Sequence, residues 1–92
     1  MFEPHYTKQF ERDVRKIKKS GSKDLSRLKS VIRTLIEEKL LEKKHKDHAL
    51  TGLYKDRREC HIGPDWLLVY KIDKEKGIII FERTGSHSEL FK

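Results

Sequence analysis

The spacing of apolar residues changes once along this chain, and the change confines the fold to a few layered arrangements. As far as Leu40 they recur at three- and four-residue intervals: Phe10, Val14 and Ile17, then Leu25, Leu28, Val31, Ile32, Leu35 and Ile36. That period is one face of an α-helix. Thr7 can cap the first helix, and Ser20-Gly21-Ser22 supplies its stop and the next N-cap. So short a link predicts an antiparallel helical hairpin, its second helix reaching about Leu40.

Beyond Leu41 no helical period returns. Glu42 to His48 reads as a polar connector, and Leu50 to Lys55 and Arg57 to Ile62 as short strands. Trp66 to Ile72 is an almost unbroken apolar run, the pattern of a central strand, and Asp73 to Gly77 turns it into a partner over Ile78 to Arg83. Gly85 breaks that partner and leaves a tail, Ser86 to Lys92. Phe2 to Tyr6 is a further short strand, which Pro4 confines to an edge or a bulge. The 92 residues therefore predict one α+β domain, residues 1–92, with an N-terminal helical hairpin packed on a small, mostly antiparallel β-sheet.

Charge divides at the same place as the pattern. The chain carries a net charge of +7, and residues 1–46 hold 14 basic against 7 acidic side chains, whereas residues 47–92 hold 8 of each. An excess of this kind favours a polyanionic partner. Lys8, Arg12, Arg15 and Lys19 form a stripe along the first helix, suited to phosphates of a nucleic acid. No apolar run approaches the roughly 18 residues of a membrane span. Met1-Phe2-Glu3-Pro4-His5 has no basic stretch leading into an apolar one, so the cytoplasm is the expected location and no membrane partner is expected. Cys60 is the only cysteine, which excludes an intramolecular disulfide and a cysteine zinc site, and reads as a small sheet residue.

Candidate chemistry lies in the neutral half. His48, His61 and His87 fall at or near expected strand ends, Asp65 begins the longest strand, and Arg83 lies near the end of its partner. Imidazole moves protons near neutral pH, and a guanidinium can neutralise a phosphate. Histidines, a carboxylate and an arginine are what RNA cleavage without a metal requires: a base for the ribose 2′-proton, an acid for the leaving 5′-oxygen, and a cation. Each residue also has a plainer reading. Asp65 can be a turn residue, Arg83 can pair across strands with an acid, and Phe91 can close the core. His5 and His45 are placed among inert surface histidines, and a metal centre of His48, His61 and His87 lacks motif spacing. A two-residue Gly63-Pro64 turn would send His61 and Asp65 to opposite faces, so one site can use both only if the turn is wider or bulged.

Three ordered blocks carry a family resemblance. Asp47-His48-Ala49-Leu50-Thr51-Gly52, the run Arg58-Glu59-Cys60-His61-Ile62-Gly63-Pro64-Asp65-Trp66-Leu67-Leu68-Val69-Tyr70-Lys71, and Arg83-Thr84-Gly85-Ser86-His87-Ser88-Glu89-Leu90-Phe91 resemble the YafQ-type toxins of the RelE/ParE superfamily. The resemblance covers the whole chain in length and element order, and nearly all of residues 47–91 in motif. It implies a ribosome-dependent mRNA endonuclease, free of cofactor and metal, which cuts by 2′-OH attack to leave a 2′,3′-cyclic phosphate and a 5′-hydroxyl. On this reading His48, His61, Asp65 and His87 do acid–base work, with His87 as the acid and the base left open among the other three. Arg83 contacts phosphate, Phe91 stacks on or positions the substrate, and Glu59 supports the site. The implied partners are mRNA on the ribosome, ribosomal RNA, and an antitoxin encoded nearby through which alone the toxin would meet operator DNA. Two other functions fit the same fold: a toxin that poisons DNA gyrase by binding, and a silent RNA- or ribosome-binding module.

Overall fold

The computed structural model describes residues 1–91. Its elements run β1 (Glu3–Tyr6), α1 (Lys8–Ser20), α2 (Leu25–Ile36), β2 (His48–Ala49), β3 (Arg58–Gly63), β4 (Trp66–Asp73), β5 (Ile78–Gly85) and α3 (His87–Leu90). Single 3-10 turns lie at Lys43–His45 and Gly52–Tyr54.

Thr7 starts α1 as expected. Its hydroxyl accepts the Phe10 N–H at 3.0 Å and donates to the Glu82 carbonyl at 2.9 Å, so one side chain caps the helix and ties it to β5. Gly21 ends the helix in the left-handed conformation, φ 65°, returning its N–H to the Ile17 carbonyl at 3.1 Å. Two expectations for α2 are corrected. Its cap is Asp24 rather than Ser22, the carboxylate accepting the Ser26 N–H at 2.9 Å. It stops at Ile36, short of Leu40, which is 98% exposed. The next inward-facing positions are Glu38 and Lys39, so a further turn would bury no apolar surface.

The sheet is five-stranded in the order β1-β5-β4-β3-β2, with β1 parallel to β5 and the other pairs antiparallel. The strand expected over Leu50 to Lys55 does not form. Pairing stops at Ala49, Gly52 turns the chain at φ 67°, and the 3-10 turn that follows leaves Leu53 96% exposed. The Ser86 to Lys92 tail is also more ordered than expected over its described part. Ser86 and Glu89 cap each other's backbone and start α3.

β4 is apolar on both faces because it meets a core on each side. Cys60, Ile62, Leu68, Tyr70, Ile79 and Phe81 face α1 and α2, which contribute Phe10, Ile17, Leu28, Val31 and Leu35. Leu67 and Val69 face the other way, under Leu90, with Leu50 and Phe91 packed alongside. Burying each large apolar side chain stabilises the fold by roughly 1.5–3 kcal/mol. Cys60 is completely buried, and burial pushes its thiol well above the ordinary range, so it is a sheet residue without nucleophilic character. Among the described residues no helix is long and apolar enough to cross a membrane.

Candidate active site

Cross-strand partners share a face of a sheet, which decides what the open face displays. His48 pairs with Glu59, Glu59 with Val69, and Val69 with Arg83; on the next rung His61 pairs with Leu67 and Leu67 with Gly85. His48, Glu59, His61 and Arg83 therefore belong to the face opposite the two long helices.

Glu59 is only 5% exposed, and one of its oxygens lies 3.6 Å from His48 Nε2 and 3.8 Å from His61 Nε2. His48 Nδ1 donates to the Lys46 carbonyl at 2.7 Å, which leaves Nε2 turned toward Glu59. The His61 ring is partly buried, and burial moves its pKa below the ordinary 6.5, against an opposing pull from the Glu59 carboxylate. The environment thus favours neutral His61, the form that accepts a proton.

Asp65 reaches the same site by way of its turn. Gly63 pairs with Trp66, so the two turn residues are Pro64 and Asp65, and the register slips between His61 and Gly63. Asp65 adopts φ 47°, a left-handed conformation that aspartate tolerates. The expected Gly63-Pro64 turn, with His61 and Asp65 on opposite faces, is therefore corrected: the two-residue turn sits one position later and β3 is bulged before it. One Asp65 oxygen accepts both the backbone N–H and the ring Nδ1–H of His87, each at 2.9 Å. These bonds hold the Asp65 carboxyl below the usual carboxylate range and leave His87 Nε2 as the working nitrogen. The His61 and His87 rings are neighbours, their centroids 6.0 Å apart and their planes tilted by 59°. Phe91 lies 6.4 Å beyond His87, its ring met edge-on by Tyr54 at 5.2 Å.

Arg83 is not paired with its neighbour Glu82, which bonds Arg57 instead. Its Nε and Nη2 donate to the two oxygens of Asp13 on α1, at 2.9 and 3.2 Å, which keeps the guanidinium charged. Asp13 also accepts the Thr84 N–H at 3.1 Å and the Gln9 side-chain amide at 3.2 Å. The reason is topological: β1 stops opposite Phe81, so the remainder of β5 has an open edge, and α1 supplies the missing partners. Sequence reasoning missed Asp13. A signal existed, since position 13 lies between Phe10 and Ile17 on the apolar face of the helix. It also missed Glu89, which Lys16 meets at 2.9 Å, although Ser86-His87-Ser88-Glu89 has capping-box spacing.

Two clefts of about 430 Å³ flank these groups. One lies along α1, where Arg12, Lys16 and Lys23 stand beside Arg83. Lys8, Arg15 and Lys19, the other members of the stripe, are exposed next to it. The second lies between α2 and the 3-10 turn before β2, with His61 in its wall. A separate apolar groove of about 510 Å³, lined by Tyr6, Phe10, Val14 and Ile32 and rimmed by Lys29 and Arg33, contains none of the candidate catalytic groups.

With this geometry in place, comparison with known proteins is specific. A family profile described as the bacterial toxin of the type II toxin-antitoxin system, YafQ, matches residues 2–92. The mRNA interferase toxin YafQ of Escherichia coli K12 is 40% identical over 87 residues, which span 94% of this chain and 91% of that protein. The crystal structure of the E. coli DinJ-YafQ complex holds a chain that matches with TM-score 0.90 at 36% identity, covering 100% of both chains. A metal-bound toxin from Helicobacter pylori matches with TM-score 0.89 at 45% identity, covering 99% of this chain and 100% of that one. Among the described residues here, no group of three or more His, Cys, Asp and Glu is arranged to hold a metal ion.

Proposed function

Since the chain belongs to the YafQ family of bacterial type II toxin–antitoxin toxins, we propose that it is an mRNA interferase. It works as one RelE/ParE-like domain over residues 1–92, its helices forming a basic hairpin, and cuts message on the ribosome in the cytoplasm. The observation that carries this reading is the neighbouring pair His61 and His87, each with a carboxylate beside it: Glu59 near His61 at 3.8 Å and Asp65 on His87 at 2.9 Å.

The chemistry follows from the two environments. Neutral His61 takes the proton from a ribose 2′-hydroxyl, and the 2′-oxygen attacks the adjacent phosphorus. Protonated His87 gives its Nε2 proton to the departing 5′-oxygen as the P–O5′ bond breaks. The products are a 2′,3′-cyclic phosphate and a 5′-hydroxyl, and no metal or cofactor takes part. Asp65 positions His87 through its Nδ1–H, while Glu59 lies beside His61 and His48, the latter standing by as a second base. Arg83, steadied by Asp13, offers its remaining N–H groups to the charged phosphorane. Phe91 gives an unstacked base an aromatic surface, worth about 1–3 kcal/mol.

Lys8, Arg12, Arg15 and Lys19 grip ribosomal RNA without reading sequence. An antitoxin, for which the DinJ-YafQ complex is the precedent, neutralises the protein and brings it to operator DNA. The apolar groove with Lys29 and Arg33 on its rim suits an acidic amphipathic segment of that antitoxin. Neither gyrase poisoning nor silent binding calls for two neighbouring histidines with carboxylates beside them.

The test is cleavage of message on programmed ribosomes by protein stripped beforehand with EDTA. Cuts ending in a 2′,3′-cyclic phosphate are expected, and a 2′-O-methyl group at the cut position should abolish them. Intact message, or cutting that survives 2′-O-methylation, would overturn the reading.

A further inference from the structure

His45 is not the inert surface histidine that its sequence position suggests. It is half-buried, and its Nδ1 donates to the carbonyl of His61 at 2.7 Å, so the ring is fixed and Nε2 has no hydrogen-bond partner among the described residues. The segment that carries it is bent for the purpose. Lys46 closes the 3-10 turn in a left-handed conformation, φ 46°, which costs a non-glycine residue about 1 kcal/mol and is a form of strain found at working sites. The same residue's carbonyl accepts from His48. Residues 43–48 thus join two candidate catalytic histidines through their backbone, with His45 between them.

His45 forms part of the wall of the second 430 Å³ cleft, which lies within the roughly 300–1,000 Å³ range of small-ligand sites. Val31, Ile62 and Pro64 give the cleft apolar surface, while Arg27, Lys44 and Lys46 give it positive charge. Glu42 is its one acid, and Lys44 pairs with it at 3.8 Å. Arg27 leans over the end of β3, where a Cβ on Gly63 would meet its Nη1 at 3.4 Å. A fixed ring, apolar floor and cationic rim match one nucleotide: base on the floor, phosphate on the rim. His61 lines this cleft and also neighbours His87, which makes the cleft the cavity adjoining the position proposed for the cut phosphate.

Building on the mRNA interferase reading, we infer that the cleft between α2 and residues 43–46 is a nucleotide subsite that holds the RNA residue next to the cut phosphate, with Arg27 and Lys46 on its phosphate and His45 against its base or sugar. An acidic segment of a protein partner would suit the cations but would leave the fixed ring and apolar floor unused.

The probe is a 2′-O-methylated RNA trinucleotide, which cannot be cut, titrated into isotopically labelled full-length protein. The ring signals of His45 and the Nε signal of Arg27 should shift together with those of Arg83. Arg27→Ala and Lys46→Ala should each weaken binding about fivefold, the scale of one exposed phosphate contact, with the melting temperature unchanged. On ribosomes both should raise KM by a similar factor and change kcat less than twofold. Shifts confined to Arg83 and His87, or unaltered trinucleotide affinity in both variants, would overturn the subsite. So would hexaglutamate if it moved the His45 and Arg27 signals at lower concentration than the RNA. Cleavage is scored separately: wild-type protein that binds through the cleft but leaves message intact would remove the enzymatic reading and retain the subsite.

Discussion

Asp13 holds Arg83 across the boundary between helix and sheet, both carboxylate oxygens receiving hydrogen bonds from the guanidinium at 2.9 and 3.2 Å. The acid is 8% exposed, yet it joins the buried side of α1 to the one arginine proposed to meet the cut phosphate. An arginine on a strand would otherwise sample many rotamers. Here its plane is set before substrate arrives.

Asp13→Ala should therefore affect both stability and rate. It strands the buried Thr84 N–H, which costs about 1–3 kcal/mol, and releases the partly exposed Arg83 guanidinium. Urea unfolding should show a loss in that range, and cleavage by the folded fraction should slow. A variant with wild-type stability and rate would show that Asp13 does neither job.

His87→Ala should lower single-turnover cleavage by roughly 10²-fold or more, the usual contribution of a general acid. Asp65→Asn keeps an acceptor for the His87 Nδ1–H but removes the charge behind it, so a smaller loss is expected, about tenfold. Mapping message ends over time gives both rates. Wild-type rates for His87→Ala would remove it from the mechanism.

The pH profile tests His61. Burial lowers its folded pKa below 6.5, so the neutral base is lost only as pH falls through that lower value, and the acid limb of the rate should lie below pH 6.5. The Glu59 carboxylate acts in the opposite direction, pulling the pKa up. Glu59→Gln removes that pull and should move the limb to still lower pH. A limb that moves upward would contradict the assignment of His61 as base.

Replacing Lys8, Arg12, Arg15 and Lys19 with glutamine should weaken ribosome binding and flatten its dependence on salt, because fewer counterions are released. All four are exposed, so thermal unfolding should move little. Unchanged affinity across a salt titration would return the stripe to a merely solvated face.

Thr84 tests the core below the site. Its hydroxyl accepts from Trp66 Nε1 at 3.0 Å and donates to the Leu67 carbonyl at 2.7 Å, all of it buried. Thr84→Val keeps the shape but strands both partners, at about 1–3 kcal/mol each. Calorimetry should register the loss as a lower melting temperature.

Local rules account for much of what could be read in advance. Thr7 caps α1 and Gly21 ends it because both effects lie within four residues of chain. The unbroken run from Trp66 predicts a central strand, and β4, between β5 and β3, is that strand. His48, His61, Asp65 and His87 could be picked out by residue type and motif. How they converge could not, because it depends on a slipped register and a left-handed Asp65. The strand expected at Leu50 to Lys55 failed for a related reason: nothing in that segment's own pattern shows how far β3 will pair with it.

What the sequence by itself determined is the layered α+β plan, the division between a basic helical half and a neutral sheet half, and the family. Only the tertiary structure decided that Asp65 serves His87, that Asp13 serves Arg83, and that His45 braces His61. Periodicity and capping act over a few neighbouring residues and leave a mark in the local order of side chains. Those three contacts span 22, 70 and 16 residues, and they exist only once β5's open edge, the turn at Pro64-Asp65 and the bend at Lys46 have brought their partners within hydrogen-bonding distance.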